Sequence, residues 1–140
     1  MPDILIVDDD DVIRETLFEL LSTNYKCEAA ETAEEALAWL ERASFRVVLT
    51  DISMPGLNGI ELLDRVRREY PQTPVIIISG LSDQEHAEGL IELGAFEYLL
   101  KPFRLELVEK SVERALTYGR RSTEEPGHQE ENRSRLKIVN

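Results

Sequence analysis

Four aspartates in a row, Asp8 to Asp11, follow the apolar run ILIV at positions 4–7. Like charges at this density repel one another, and the end of a purely structural strand has no use for them. Three other polar residues stand in the same relation to an apolar run. Asp51 closes FRVVLTD (45–51), Ser79 closes PVIIIS (74–79), and Lys101 follows FEYLL (96–100). Carboxylates drawn together from several strand ends need a cation among them. Oxygen ligands suit a hard ion, Mg²⁺ above all, which keeps several waters and takes one or two carboxylates. Ca²⁺ fits less well, since no loop repeats acids at alternate positions around a glycine. Zinc would have only His86, His128 and Cys27 to draw on. An aspartate facing such an ion, a hydroxyl and a lysine can attack a phosphoryl group while metal and ammonium absorb charge on the equatorial oxygens. Lys101 supplies a point charge for a phosphoryl oxygen. Ser79 can donate a hydrogen bond, and Gly80 leaves space beside it. The plain alternative for Lys101 is an ordinary surface lysine, but its place between YLL and Pro102 at a strand's carboxyl end sets it apart.

These residues can meet only if the elements carrying them share one rim. The apolar runs fall at 3–8, 26–30, 45–51, 74–79 and 96–100, and three are rich in Val and Ile, as expected of strands buried on both faces of a parallel sheet. Helical patterns lie between them. Val12, Ile13, Leu17, Leu20 and Leu21 form one stripe, Ile60, Leu63 and Val66 mark another, and Leu105, Val108, Val112 and Ala115 mark the last. Thr32 with Glu35, and Ser82 with Glu85, have the spacing of capping boxes at the starts of two more. Trp39 and Phe45 read as packing residues. Five strands alternating with five helices make a doubly wound α/β fold with a parallel sheet. In such sheets ligands sit at the carboxyl ends of the strands. Asp8, Asp51, Ser79 and Lys101 all lie at those ends.

The 140 residues suit one compact domain, and 42% of them are hydrophobic, enough for a buried core. A net charge of −12 argues against a free-standing nucleic-acid binder. The excess acid belongs to the folded part: residues 1–119 carry 24 acids and 11 bases, residues 120–140 four and five. Cys27, the only cysteine, can form no internal disulfide and reads as a small buried thiol. No segment approaches the roughly 20 apolar residues of a membrane span, and no signal-like stretch opens the chain, so a cytoplasmic protein is expected. From about residue 119 the pattern breaks into GRRSTEEPGHQEENRSR, giving a domain at 1–119 and a polar linker or tail at 120–140. Within the tail, HQEENRSRLKIV has the composition for a restarting helix.

ILIVDDDD, LTDISMPGLNG, VIIISG and FEYLLKPF, in this order at these strand ends, resemble the receiver domain of two-component response regulators. The resemblance covers about residues 3–118, and Asp51–Gly59 (DxxMPxxxG) together with KPF is its most specific part. It implies a flavodoxin-like five-stranded sheet of order 2-1-3-4-5 with five flanking helices. It implies Asp51 as phosphoacceptor, Asp9 as a direct Mg²⁺ ligand with Asp8 assisting, and the backbone carbonyl of Ser53 as a further ligand. Ser79 and Tyr98 match the switch residues, and Lys101 the phosphoryl-binding lysine, followed by a cis bond to Pro102. Tyr98 also has a plainer reading as a buried aromatic with a wet hydroxyl. Asp10 and Asp11 match no required position and are expected to cap and charge the first helix. Met54 and Pro55 shape the loop.

The implied function is a phosphorylation switch. A sensor histidine kinase or histidine phosphotransfer protein donates to Asp51 with Mg²⁺ in the site, and a partner or downstream output domain responds. A phosphorylation-dependent homodimer through the face of the fourth helix, fifth strand and fifth helix is the expected form of self-association; neither nucleic acid nor membrane is a direct partner. His86 and His128 are expected in solvent. Two rivals are weaker. A haloacid-dehalogenase-type phosphatase would use Asp8 as nucleophile and Asp10 as general acid, but it lacks a later acidic pair for the metal and leaves Asp51 idle. A phosphorylation-independent pseudo-receiver would be expected to have lost Asp51, Lys101 or the acidic pair, all present here. The glycine-rich nucleotide-binding signatures are absent.

Overall fold

The apolar runs become strands, each slightly shorter than its run. The computed structural model describes residues 2–52, 59–80, 84–124 and 138–139, with side chains except at 84–86, 119–124 and 138–139. In chain order the elements are β1 (Ile4–Val7), α1 (Asp11–Ser22), β2 (Cys27–Ala30), α2 (Ala33–Arg42), β3 (Val47–Asp51) and α3 (Gly59–Glu69). They continue with β4 (Val75–Ser79), α4 (Gln84–Glu92), β5 (Glu97–Leu100), α5 (Leu105–Glu124) and β6 (Ile138–Val139). The sheet is parallel throughout, in the order β2-β1-β3-β4-β5-β6. The expected 2-1-3-4-5 order with five helices is therefore present, and β6 adds a short strand outside β5.

Alternation along the strands divides the core into two layers. Leu5, Val7, Val48, Val75, Ile77 and Tyr98 belong to the layer holding the apolar side chains of α2, α3 and α4. Ile4, Ile6, Val47, Leu49, Ile76, Ile78 and Leu99 belong to the layer holding those of α1 and α5. Burying the strands on both faces is what an uninterrupted VVL or VIII run demands.

Helix starts follow local chemistry. Asp10 caps α1, its side chain accepting from the amides of Val12 and Ile13, and Asp11 puts a negative charge in the first turn. Thr32 caps α2 by accepting from the Glu35 amide, while Glu35 itself reaches the amide of Glu31 and not that of Thr32. The Ser82 cap lies outside the described residues. Gly94, at φ 110°, turns the chain from α4 toward β5, a conformation side chains rarely adopt.

Several expectations are corrected. Val12 faces solvent at 72% exposure, because the stripe of α1 that meets the core is Leu17 and Leu21. Leu105 is likewise exposed at the first position of α5. Cys27 is half-buried; burial raises its thiol pKa above the ordinary value, with a hydrogen bond involving Ser22 acting against the rise. The last helix runs past Gly119 to Glu124, and Ile138 and Val139 are strand where a helix could have restarted.

Candidate functional site

Val7, the last residue of β1, pairs with Ala30 of β2 and with Thr50 of β3, so Asp8 and Asp51 leave adjacent strands side by side. Asp51 in turn pairs with Ile78, one residue before Ser79, and Ser79 pairs with Leu100, one residue before Lys101. The register alone thus brings the four strand-end residues to one rim. Carboxylate oxygens of Asp8, Asp9 and Asp51 all lie within 4.8 Å of one another; Asp8 and Asp51 are buried and Asp9 is exposed. Lys101 Nζ stands 3.5 Å from Asp8 Oδ2 and 3.5 Å from Asp51 Oδ1.

Local bonds hold these groups. Asp8 Oδ1 accepts from the Asp10 amide at 2.9 Å, and Asp51 Oδ1 accepts from the Ile52 amide at 2.8 Å. The Lys101 amide donates to the Ser79 carbonyl at 2.8 Å, tying β5 to β4 at the rim, and the Lys101–Pro102 bond is cis. Ser79 and Tyr98 are buried at 1% and 0% exposure. Tyr98 pairs with Ile77, and the pleat carries Ser79, two residues beyond Ile77, onto the same side of the sheet. A Cβ added at Gly80 would meet nothing within 4 Å among the described residues, consistent with open space beside Ser79. Ser53, Met54 and Pro55 lie outside the described residues, as does His128; the side chain of His86 is not described.

The electrostatics favour a cation. Three carboxylates and one ammonium leave an excess of about two negative charges in the cluster, the charge of one divalent ion. Burial raises the Asp8 carboxyl above its ordinary pKa; the Asp10 amide lowers it, the Asp51 charge raises it further, and Lys101 acts against the rise. Asp8 Oδ2 is buried and accepts no hydrogen bond within normal geometry from the described residues, Lys101 Nζ standing 3.5 Å away. A buried carboxylate oxygen is costly in that state, and a metal ion would relieve it. All-oxygen donors with one exposed member, Asp9, through which water could complete the coordination, fit Mg²⁺.

Two contributors show their physical role only in three dimensions. Gly59 opens α3 against the back of Asp51: its amide donates to the Ile52 carbonyl at 3.0 Å, and an added Cβ would lie 2.4 Å from the Asp51 carbonyl oxygen. The glycine ending the DxxMPxxxG motif is thus needed for close approach. Arg14, on α1, donates to the Asp8 carbonyl at 2.8 Å.

The response regulator receiver domain family matches residues 4–113. Over 114 residues the chain is 39% identical to the DNA-binding transcriptional regulator NtrC of Salmonella typhimurium, covering 81% of this chain and 24% of NtrC. It is 38% identical over 117 residues to the nitrogen assimilation regulatory protein NtrX of Azorhizobium caulinodans, covering 81% of this chain and 26% of that protein. The chain therefore spans about a quarter of the length of these relatives. Among solved structures, the receiver domain of NtrX from Brucella abortus superposes with a TM-score of 0.78 at 36% identity, covering 82% of this chain and 98% of that one. The chemotaxis response regulator CheY4 of Vibrio cholerae gives 0.77 at 33% identity, covering 83% and 99%.

Proposed function

Because the chain belongs to the family of response regulator receiver domains, we propose that Asp51 is its phosphoacceptor and that Asp8, Asp9, Ser79, Tyr98 and Lys101 serve the transfer and the switch that follows. The observation that carries this reading is the position of Lys101 Nζ, 3.5 Å from carboxylate oxygens of both Asp8 and Asp51. An ammonium there faces any phosphoryl group carried by Asp51.

Asp9 and Asp51 would hold Mg²⁺ directly, with Asp8 assisting and the carbonyl of Ser53 as a further ligand; the bound ion supplies neutralisation of the phosphoryl oxygens. The Asp51 carboxylate attacks phosphorus of a donor phosphohistidine. A P–O bond forms as the P–N bond breaks, and the electron pair leaves on the imidazole nitrogen. The Ile52 amide fixes the orientation of the attacking carboxylate, and Lys101 takes up charge on an equatorial oxygen. Positioning and charge account for the whole contribution of the protein, so it is a signalling switch whose chemistry is limited to gaining and losing its own phosphoryl group.

The new charge then draws on Ser79 and Lys101, and the layer behind them repacks. Tyr98 has no exposed surface in this conformation, so its part is a rearrangement within the layer that includes Ala87 and Leu90. The face of α4, β5 and α5 changes as a result and becomes the surface for a partner or a second copy. The donor is a sensor histidine kinase or histidine phosphotransfer protein in the cytoplasm. Among the described residues no helix is long and apolar enough to cross a membrane. Residues 1–119 form the switch and the polar stretch from 120 onward serves as a tail or linker to an output, α5 extending into it as far as Glu124 and Ile138–Val139 returning to the sheet. Nucleic acid is not a direct ligand of the switch itself.

Incubation with acetyl phosphate, with Mg²⁺ or with chelator, followed by intact mass, tests this. A Mg²⁺-dependent gain of one phosphoryl group, lost in Asp51→Asn, is expected. An unmodified protein that also resists a kinase donor would be a pseudo-receiver, and a modification surviving Asp51→Asn would move the nucleophile to another carboxylate.

A further inference from the structure

Arg14 lies on α1, outside the set of residues that the acidic site itself comprises, yet one of its bonds enters the site's backbone. Asp8 is the first residue past β1. Its amide still bonds to the Ala30 carbonyl at 3.1 Å, while its own carbonyl accepts from Arg14 Nη1 at 2.8 Å. That carbonyl belongs to the Asp8–Asp9 peptide, whose plane sets the direction in which the Asp9 side chain leaves the chain. No hydrogen bond or ion pair to another described residue holds the Asp9 carboxylate, so the backbone must aim it.

The guanidinium is itself held. Nη2 donates to Asp11 at 2.6 Å and meets Glu31 at 3.5 Å, and the Arg14 side chain is 13% exposed. Glu31 follows β2 directly, so the fork joins the start of α1, the exit of β2 and the exit of β1. An ordinary helix-surface ion pair would need only the Asp11 contact. A planar fork with several donors in fixed directions reaches a backbone carbonyl and two acids at once, which a lysine cannot do.

We propose that Arg14 is a positioning residue for the divalent cation: by fixing the Asp8–Asp9 peptide it aims the Asp9 carboxylate into the cluster with Asp8 and Asp51. This inference rests on the Mg²⁺ site proposed above. Its sign separates it from a simple charge effect. A cation next to a divalent site repels the incoming ion, so removing that charge would tighten Mg²⁺ binding on Coulomb grounds alone. Loss of positioning does the opposite.

The test is Mg²⁺ titration calorimetry on the full chain for the wild type, Arg14→Met and Arg14→Lys, with thermal melts of each in chelator. Loss of an outer partner of a ligand weakens metal binding by about tenfold or more, and that is expected for Arg14→Met. Arg14→Lys keeps the charge and loses the fork, so it should bind with intermediate affinity if its melt shows a folded protein. Wild-type or tighter binding by Arg14→Met would overturn the inference, and so would wild-type affinity in Arg14→Lys. Should Arg14→Met fail to fold, the lysine variant alone decides. A wild type that binds no Mg²⁺ is a different result: it removes the proposed site and this inference with it.

Discussion

Asp8 illustrates how a single carboxyl couples the site to stability. Its folded pKa is raised above the ordinary 3.8, burial being the largest cause. Between the ordinary and the raised value the folded protein holds this proton and the unfolded chain has lost it. Ionising Asp8 at higher pH therefore costs stability, and the cost is recovered as pH falls through the folded value. In chelator, Asp8→Asn should melt higher than the wild type at pH 7, and the gap should narrow as pH is lowered toward 4. Mg²⁺ should then raise the melting temperature of the wild type more than that of the variant. A gap that widened on acidification would show that Asp8 is not the titrating group. The identities at Asp8, Asp51, Ser79 and Lys101 were legible because each terminates an apolar run, and register does the rest. Arg14 was not legible, since its target is a backbone carbonyl, which leaves no mark in a sequence. Gly59 could be seen as a motif position, but its reason, a carbonyl 2.4 Å from an added Cβ, exists only in three dimensions.

At the scale of elements, α5 is fastened to β5 by a polar bond inside an otherwise apolar layer. Glu97, 3% exposed, receives Arg114 Nε at 2.6 Å on one oxygen and Arg114 Nη2 at 2.7 Å on the other, and Ser111 Oγ donates to it at 2.7 Å. Taking a carboxylate out of water is repaid only while its partners stay. Arg114→Met should destabilise the protein by about 1–3 kcal/mol, below the value for a fully enclosed pair because the arginine side is partly exposed. Adding Glu97→Met should restore part of that loss, since the stranded charge is then gone; urea unfolding of both variants measures it. Equal or greater loss in the double variant would mean that the pair contributes through packing. FEYLL read as a strand despite its glutamate, correctly, but nothing in the run announced a partner seventeen positions on. The helix stripes were legible from period, while their ends were not: Val12 sits in the first turn, where α1 has not yet met the sheet, and α5 outlasts its apolar spacing to Glu124.

For the whole molecule, the order of the first five strands was implied by the resemblance, and the buried character of the runs spoke only for a parallel sheet covered on both faces, whereas the sixth strand depended on geometry. A strand at the margin of a sheet leaves half of its amides and carbonyls unpaired, and such an edge accepts any extended segment within reach. β5 would be that edge, but Ile138 pairs with Tyr98 and Val139 with Leu99, in parallel. LKIV is too short and too close to charged residues to read as a strand by itself; Ile138 and Val139 are strand because β5 offers them a ladder. The consequence is measurable by hydrogen exchange. In the wild type, amides of β5 that point away from β4 should be protected. Replacing both Ile138 and Val139 by proline removes two donors and breaks the pairing. Exchange should then quicken at the outward amides of residues 97–100 and stay unchanged in β1, β3 and β4, because the rest of the ladder does not pass through β6. Unchanged exchange at β5 would mean that its edge is protected by other means. Faster exchange throughout the sheet would mean that β6 supports the global fold, a larger role than two paired residues at one margin can carry.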